Sequence, residues 1–273
     1  MREMIQYFGF TQMPFGKELA PGQLYRHDGH TQAAARITWC IQTRGVAVVT
    51  GDAGTGKTVA ARAAAAALDP ARHTIIYLPD PAIGARGIHD HIVAALGAQP
   101  RFHTCSLIRQ SAGALAAEVA ERGKLPVLIL DEAHLMSHQQ LEAVRILTNA
   151  DMDAAANLAV VLLGQPSLRH NMKLGVLAAL DQRITVRYHL SGMPAADTAA
   201  YLRHHLSLAG RADPLFADDA LAAIHDASRG KPREINNLAR NALLAGYTER
   251  KNIIDHACIR AAITEASTDH KTP

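Results

Sequence analysis

Cysteine is scarce in this chain: among 273 residues there are three, Cys40, Cys105 and Cys258, far apart and with no C-x-x-C pair. Neither a disulfide framework nor a cysteine zinc site fits that spacing, and the three read as small buried hydrophobes. Long hydrophobic runs are missing too, since no apolar stretch approaches the roughly 18 residues of a membrane span. The opening MREMIQYFGF has neither an apolar stretch of signal-peptide length nor a small-residue cleavage pattern, so a cytoplasmic protein without a membrane partner is expected. Charge is moderate: charged residues make up 19% and the formal net charge is +3, which is compatible with nucleic acid as a partner but does not argue for it. Aromatic residues are only 4% of the chain. Histidine is the exception to this scarcity, with fifteen. His134 and His138 are spaced i,i+4, yet no third ligand is placed, and the histidines read as solvated or core residues. With 48% hydrophobic residues the chain can bury a sizeable core, and its length suggests an α/β lobe with a smaller second lobe.

What is present begins with GVAVVTGDAGTGKT, residues 45–58. Val46, Ala47, Val48 and Val49 suit a buried parallel strand, and the glycines after them let backbone N–H groups approach an anion. Gly51, Asp52, Ala53, Gly54, Thr55, Gly56, Lys57 and Thr58 fit G-x-x-x-x-G-K-[ST], with Val59 opening the helix behind. In that motif amides and the helix N-terminus cradle phosphates, Lys57 reaches the β/γ oxygens and Thr58 ligates Mg²⁺. A nucleoside triphosphate is the expected ligand.

Before that loop, residues 1–30 hold Tyr7, Phe8, Phe10, Phe15 and Tyr25 in an irregular stretch. It reads either as a flap over the adenine base, using the backbone of Tyr25 to His27 and the side chain of His30, or as a packed N-terminal arm. Residues 31–44 read as a helix, and the alanine-rich VAARAAAAAL after the loop as another. HTIIYL, residues 73–78, is a β-branched strand candidate; helices follow over 87–96 and 106–122, with a loop at 97–104 between them. A βα series of this kind implies a parallel sheet flanked by helices.

The second chemical signature is VLILDEAHLM. An acidic residue ending a buried strand near a phosphate loop holds Mg²⁺, which fits Asp131, and Glu132 is placed to orient or deprotonate the attacking water. After a helix over 138–147, the run at 158–163 reads as a further buried strand ending at Gly164-Gln165. Ligands meet the carboxyl ends of parallel strands, so Gln165 can sense the γ-phosphate or the water. Arg183, in LDQRI, is placed to reach out of the core. From Ser191 the chain turns to alanine-rich helices without strand runs, and Pro232 in RGKPREINNLA sets Arg233 at a helix start.

Taken in order, GDAGTGKT, LILDEAH, VLLGQP, LDQRI and GKPREINNLA resemble the AAA+ ATPases, and within them the ExeA, TniB and TnsC-like group of secretion ATPases and transposition regulators. YFGFTQMPF resembles the N-terminal signature of the same group. The resemblance covers nearly the whole chain. It implies an AAA+ core over 31–190, a helical lid over 191–267, a disordered tail at 268–273 and an arm at 1–30 near the nucleotide pocket. It implies ATP and Mg²⁺ as cofactors, Lys57 and Thr58 as Walker A ligands, Asp131 and Glu132 as the Walker B pair, and Gln165 as sensor 1. Arg233 matches the sensor 2 arginine and Arg183 the arginine finger supplied in trans, with Arg187 a nearby rival. A trans-acting arginine implies a homo-oligomer, ring or helical filament, as the efficient ATPase. Secretion members of the group carry a membrane segment and a peptidoglycan-binding part after the core. With neither following in this sequence, the expectation is a transposition helper that oligomerises on duplex DNA and recruits or regulates a transposase. The alternative is a secretion-type ATPase that assembles or remodels a protein complex. DNA would be held through its phosphates, with Arg86, Arg101, His103, Arg109 and Lys124 as candidate contacts.

Overall fold

The computed structural model of the chain describes residues 2–16, 19–149 and 156–269. It divides into two compact units, one of His30–Ala53 with Lys57–Leu190, the other of Met1–Gly29, Gly54–Gly56 and Ser191–Pro273.

The first unit is built on five parallel strands: β1 (Val46–Thr50), β2 (His73–Leu78), β3 (Leu125–Leu130), β4 (Ala159–Gly164) and β5 (Ile184–His189), in the order β2-β3-β4-β1-β5. Every residue of β1 and β4 is buried, because the central strands of a doubly covered parallel sheet have no solvated face. Alternate residues serve opposite cores. Val46, Val48, Leu128, Leu130, Val160 and Leu162 point into one, while Ala47, Val49, Val127, Ile129, Val161 and Leu163 point into the other. The first core is closed by α4 (Gly84–Ala95), α5 (Thr104–Ala120), α6 (His138–Leu147), α7 (Pro166–Asn171) and α8 (Ala178–Arg183), through side chains such as Ile88, Ile92, Leu115, Leu141 and Leu168. The second core is closed by α2 (Asp28–Gln42) and α3 (Lys57–Ala66), where Ala61 and Ala64 present small side chains to the sheet. At the edges the pattern relaxes: in β2 Ile76 and Leu78 are buried while Ile75 and Tyr77 are exposed.

The strand runs expected at 73–78 and the helix at 138–147 have those bounds in the structure, whereas α3, α4 and α5 each start two or three residues earlier than their apolar periodicity indicates. First turns carry loop-type residues outside the apolar stripe, so periodicity underreads them. Pro126 belongs to β3, standing before the β3–β4 ladder opens at Val127 and Ala159, where a residue without an N–H is tolerated.

The second unit contains α1 (Arg2–Tyr7), α9 (Ala195–Leu208), α10 (Asp218–Ser228), α11 (Pro232–Thr248) and α12 (His256–Asp269). Its core joins Phe8, Phe10 and Phe15 of the N-terminal arm to Leu202, Leu206, Ile224, Ile235, Leu243 and Ile259. Polar bonds strap the arm along α9: Thr11 N–H donates to Ala209 O at 2.8 Å, Arg211 Nη1 to Phe8 O at 2.7 Å, and Tyr25 OH to Asp197 at 3.1 Å. Phe15 stacks on His205, whose imidazole is pushed down to about 4 by burial and by neighbouring His204. The arm's aromatics therefore fill a helical core, and residues 1–29 count with the helical unit rather than as a separate segment. Tyr25 and His27 are grouped with this unit and His30, in the first turn of α2, with the sheet unit. The helix α12 runs to Asp269, two residues into the expected tail; residues 270–273 of that tail lie outside the described residues.

Two backbone segments of the helical unit cross at Gly192-Met193 and Arg229-Gly230. Met193 N–H donates to Gly230 O at 2.8 Å, and a Cβ on Gly230 (φ +69°) would stand 2.0 Å from Met193 O. Backbone cannot yield as a flexible side chain does. Gly230→Ala is expected to destabilise the helical unit by about 2 kcal/mol or more, through αL strain plus this clash. Gly113→Ala, on the exposed face of α5 with nothing near its Cβ, should stabilise by about 0.5–1 kcal/mol. Urea unfolding of the two variants checks the contrast.

Candidate functional site

The phosphate loop leaves β1 with Gly51 N–H bonded to Gly164 O at 3.2 Å, which ties its base to the end of β4. Gly54 and Gly56 take φ of +81° and +96°, where L side chains are strained. Lys57 is buried, and its Nζ donates to the carbonyls of Gly51 and Asp52, both at 2.8 Å. Thr55 is buried, Asp52, Ala53 and Thr58 are exposed, and Val59 is half-buried in the first turn of α3. Residues 54–56 cluster with the helical unit. Within that unit Arg233 N–H donates to Gly54 O at 3.3 Å, and a Cβ on Gly54 would lie 2.8 Å from that of Arg233.

Beyond β3, Asp131 is buried and its carboxylate is triply bonded. Oδ2 accepts from Thr58 Oγ1 at 2.7 Å and from Tyr77 OH at 3.0 Å, and Oδ1 accepts from Glu132 N–H at 2.9 Å. Asp131 N–H extends the β2–β3 ladder to Leu78 O at 3.0 Å, so the backbone itself fixes where this carboxylate points. Burial, then the negative charge of Asp131 and the hydrogen bond to it, push the Tyr77 hydroxyl up to about 12, so it stays a donor at neutral pH. Tyr77 escaped the sequence reading because it counts there only as a strand residue; the signal was its place one residue before the end of β2, which the parallel register sets beside the end of β3.

Glu132 turns the chain with left-handed dihedrals, φ 49° and ψ 32°, which for a residue with a Cβ cost roughly 1–2 kcal/mol. The strand therefore stops there, and the half-exposed carboxylate projects from the strand end with Oε2 3.3 Å from His134 Nδ1. His134 is thus neither solvated nor simply core. Gln165 is half-buried and directly follows β4, the strand lying between β1 and β3, so the loop, Asp131 and Gln165 all stand at carboxyl ends of neighbouring strands.

Thr58 Oγ1 and Asp131 Oδ2 are hard oxygen donors in contact, a pairing that suits Mg²⁺, which keeps most of its waters and binds one or two protein oxygens plus phosphates. Among the described residues no group of three or more His, Cys, Asp or Glu forms a cage that could hold a metal alone.

The two rival arginines differ. Arg187 is engaged by Asp181, with Nη2 2.6 Å from its carbonyl and 2.8 Å from Oδ1, while Nη1 reaches Ile184 O at 3.3 Å. Arg183, half-buried at the end of α8, has Nη2 3.4 Å from Asn149 Oδ1. The basic candidates also separate. Arg86 bonds the carbonyls of Arg101 and Phe102, both at 3.2 Å, and pairs with Asp90, bracing the loop before α5. Arg101, His103 and Arg109 are exposed around it, and Phe102 is 85% exposed. Lys124 lies past the other end of α5, a helix roughly 25 Å long, so it does not share a patch with them. The sequence names all five as candidates without showing how α5 distributes them in space.

Residues 40–172 match the AAA domain family. The chain is 35% identical over 271 residues to general secretion pathway protein A of Aeromonas hydrophila, an alignment that covers 96% of this chain and 48% of that protein. The chain thus spans about half the length of that relative. Solved structures with the same fold include Cdc6p of Pyrobaculum aerophilum, with a TM-score of 0.70 at 17% identity over 88% of this chain and 67% of that one. The Aeropyrum pernix ORC1 protein in complex with DNA gives 0.65 at 14% identity, over 89% of this chain and 67% of that one. The Thermotoga maritima RuvB Holliday junction branch migration motor gives 0.57 at 17%, over 88% and 69%. No helix among the described residues is long and apolar enough to cross a membrane. With these strands, this loop and these relatives, the chain belongs to the AAA+ proteins, in the group that resembles general secretion pathway protein A.

Proposed function

We propose that the chain is an ATPase, converting ATP and water to ADP and phosphate, and that its nucleotide cycle drives assembly or remodelling of a protein complex. The contact between Thr58 Oγ1 and Asp131 Oδ2 carries the chemical part, because it joins phosphate loop and acidic strand end at the spacing a Mg²⁺-nucleotide site needs. The likeness to general secretion pathway protein A over 96% of this chain supports the second part over the transposition reading.

In this mechanism the loop amides of residues 51–58 bind the triphosphate and Lys57 turns its ammonium from loop carbonyls to the β/γ oxygens. Thr58 and Asp131 hold the Mg²⁺, whose chemistry when bound is to neutralise charge developing on those oxygens. Glu132 orients the attacking water and takes its proton as the water oxygen bonds to the γ-phosphorus and the β–γ bridge breaks. Gln165 donates to the γ-phosphate or the water, and Arg233 reads the γ-phosphate within its own subunit. Arg183 completes a neighbouring subunit's site, which makes the homo-oligomer the efficient form, with Arg187, 2.8 Å from Asp181 Oδ1, as its nearby rival.

A second reading, a DNA-bound ATPase that acts with a transposase and is stimulated by DNA, draws on the exposed Arg101, His103 and Arg109 and on the ORC1 fold relative solved with DNA. Its contacts would be phosphate contacts, salt-dependent and little concerned with base order.

Glu132→Gln is expected to bind ATP with unchanged affinity and to lose about 10²-fold or more in kcat, since only the proton acceptor is removed; normal turnover would exclude that role. Arg183→Ala should lose on the order of 10³-fold alone. Mixing it with Glu132→Gln should restore part of the rate, because each supplies what the other lacks; a mixture no faster than its components would exclude a trans role. On the DNA reading, long duplex DNA shifts in a gel with a non-hydrolysable ATP analogue at moderate salt, and Arg101→Glu with Arg109→Glu abolishes the shift. No nucleotide-dependent shift leaves the protein-complex reading alone.

A further inference from the structure

We infer that His134 is a positioning residue for Glu132: its Nδ1–H holds one carboxylate oxygen, Oε2, and so fixes the side chain that presents Oε1 to water. The inference rests on the reading of Glu132 as the group that orients the water.

Glu132 by itself is poorly constrained. Its side chain is 50% exposed, and an exposed carboxylate on a flexible stem samples several rotamers. A base that must meet one water in one direction loses rate when it wanders. The structure places the His134 imidazole against it. His134 Nδ1 stands 3.3 Å from Glu132 Oε2, and the imidazole is 11% exposed. That nitrogen is screened from solvent and makes no well-angled hydrogen bond among the described residues, and the Glu132 carboxylate stands 3.3 Å from it. A small rotation of the exposed glutamate would close the geometry.

The imidazole, in contrast, stands on a fixed support. It lies in a 3-10 turn, Ala133–Leu135, held by Leu135 N–H to Glu132 O at 2.9 Å and by Met136 N–H to Ala133 O at 3.2 Å. Ala133 and Met136 on either side are buried in the sheet core. The turn also crosses the end of β4 at close range: a Cβ on Gly164 would lie 3.1 Å from His134 N, so glycine there lets the histidine-bearing turn sit against the strand that precedes Gln165. A rigid donor two residues from an exposed carboxylate is an arrangement by which an imidazole N–H orients a base without exchanging a proton with it. In this role the ring carries hydrogen on Nδ1; the proton taken from water goes to Glu132, and no bond forms or breaks at His134.

Steady-state ATP hydrolysis by the full chain, with affinity for a fluorescent ATP analogue measured in parallel, tests the inference on His134→Ala, His134→Asn and Glu132→Gln. His134→Ala is expected to lower kcat by about 10- to 100-fold with KM and analogue affinity within about twofold, the size of effect a misplaced catalytic group produces. His134→Asn, whose amide N–H can stand where Nδ1–H does, should recover most of the rate. If His134→Ala turns over at the wild-type rate while Glu132→Gln is inactive, the positioning role is wrong and the base assignment stands. If Ala and Asn variants are equally slow, or both lose analogue affinity, His134 is a packing residue and the inference fails. If Glu132→Gln itself is as fast as wild type, the base assignment falls, and this inference with it.

Discussion

The hydrogen bonds converging on the Asp131 carboxylate are the interaction on which the site depends. Three donors, the Thr58 hydroxyl, the Tyr77 hydroxyl and the Glu132 amide, come from three different segments. A buried carboxylate without such partners would be costly, whereas one with three has its lone pairs satisfied and its direction fixed. Satisfying Asp131 therefore requires β2, β3 and the start of α3 to end at the same level, which is what the parallel sheet supplies. The ladder continuing from Leu78 O to Asp131 N–H is the backbone counterpart of the same constraint.

Around that centre the fold separates rigid from adjustable parts. Asp131 and Lys57 are buried, the one among donors and the other on loop carbonyls, while Glu132 and Thr58 reach the surface. In the proposed mechanism the buried Asp131 and Lys57 gain from rigidity, while Glu132, which would meet a transient water, must stand where water can arrive. The left-handed turn at Glu132 serves both needs, ending the strand at Asp131 and sending the next side chain outward. The 3-10 turn behind it then brings His134 back toward the carboxylate.

The helical unit shows a different economy of the scarce aromatic residues. Phe8, Phe10 and Phe15 lie among its helices, and the arm's backbone is bonded to Ala209 and to Arg211. The helices supply leucine and isoleucine to this core, and the large rings of the arm fill volume that their alanines leave. An N-terminal segment with no regular pattern is thereby made part of a core whose other members are some two hundred residues away, as the Thr11–Ala209 separation of 198 positions shows.

Much of this was legible in the sequence because it is written in contiguous residues. The apolar runs at 46–49 and 158–163 determine buried strands, GDAGTGKT determines a phosphate loop, and LDE determines an acidic strand end; each depends on local backbone geometry and on burial of neighbours in the chain. The tertiary structure alone decided which side chains meet. Tyr77 reaches Asp131 across 54 positions because of strand register, Arg187 is drawn to Asp181, Lys124 is carried away from Arg101 by the length of α5, and the aromatic arm joins the helices. Even His134, two residues from Glu132, could not be paired with it from sequence. Whether neighbours in a turn face each other depends on left-handed dihedrals at one residue and on a glycine in another strand, and neither leaves a periodic trace.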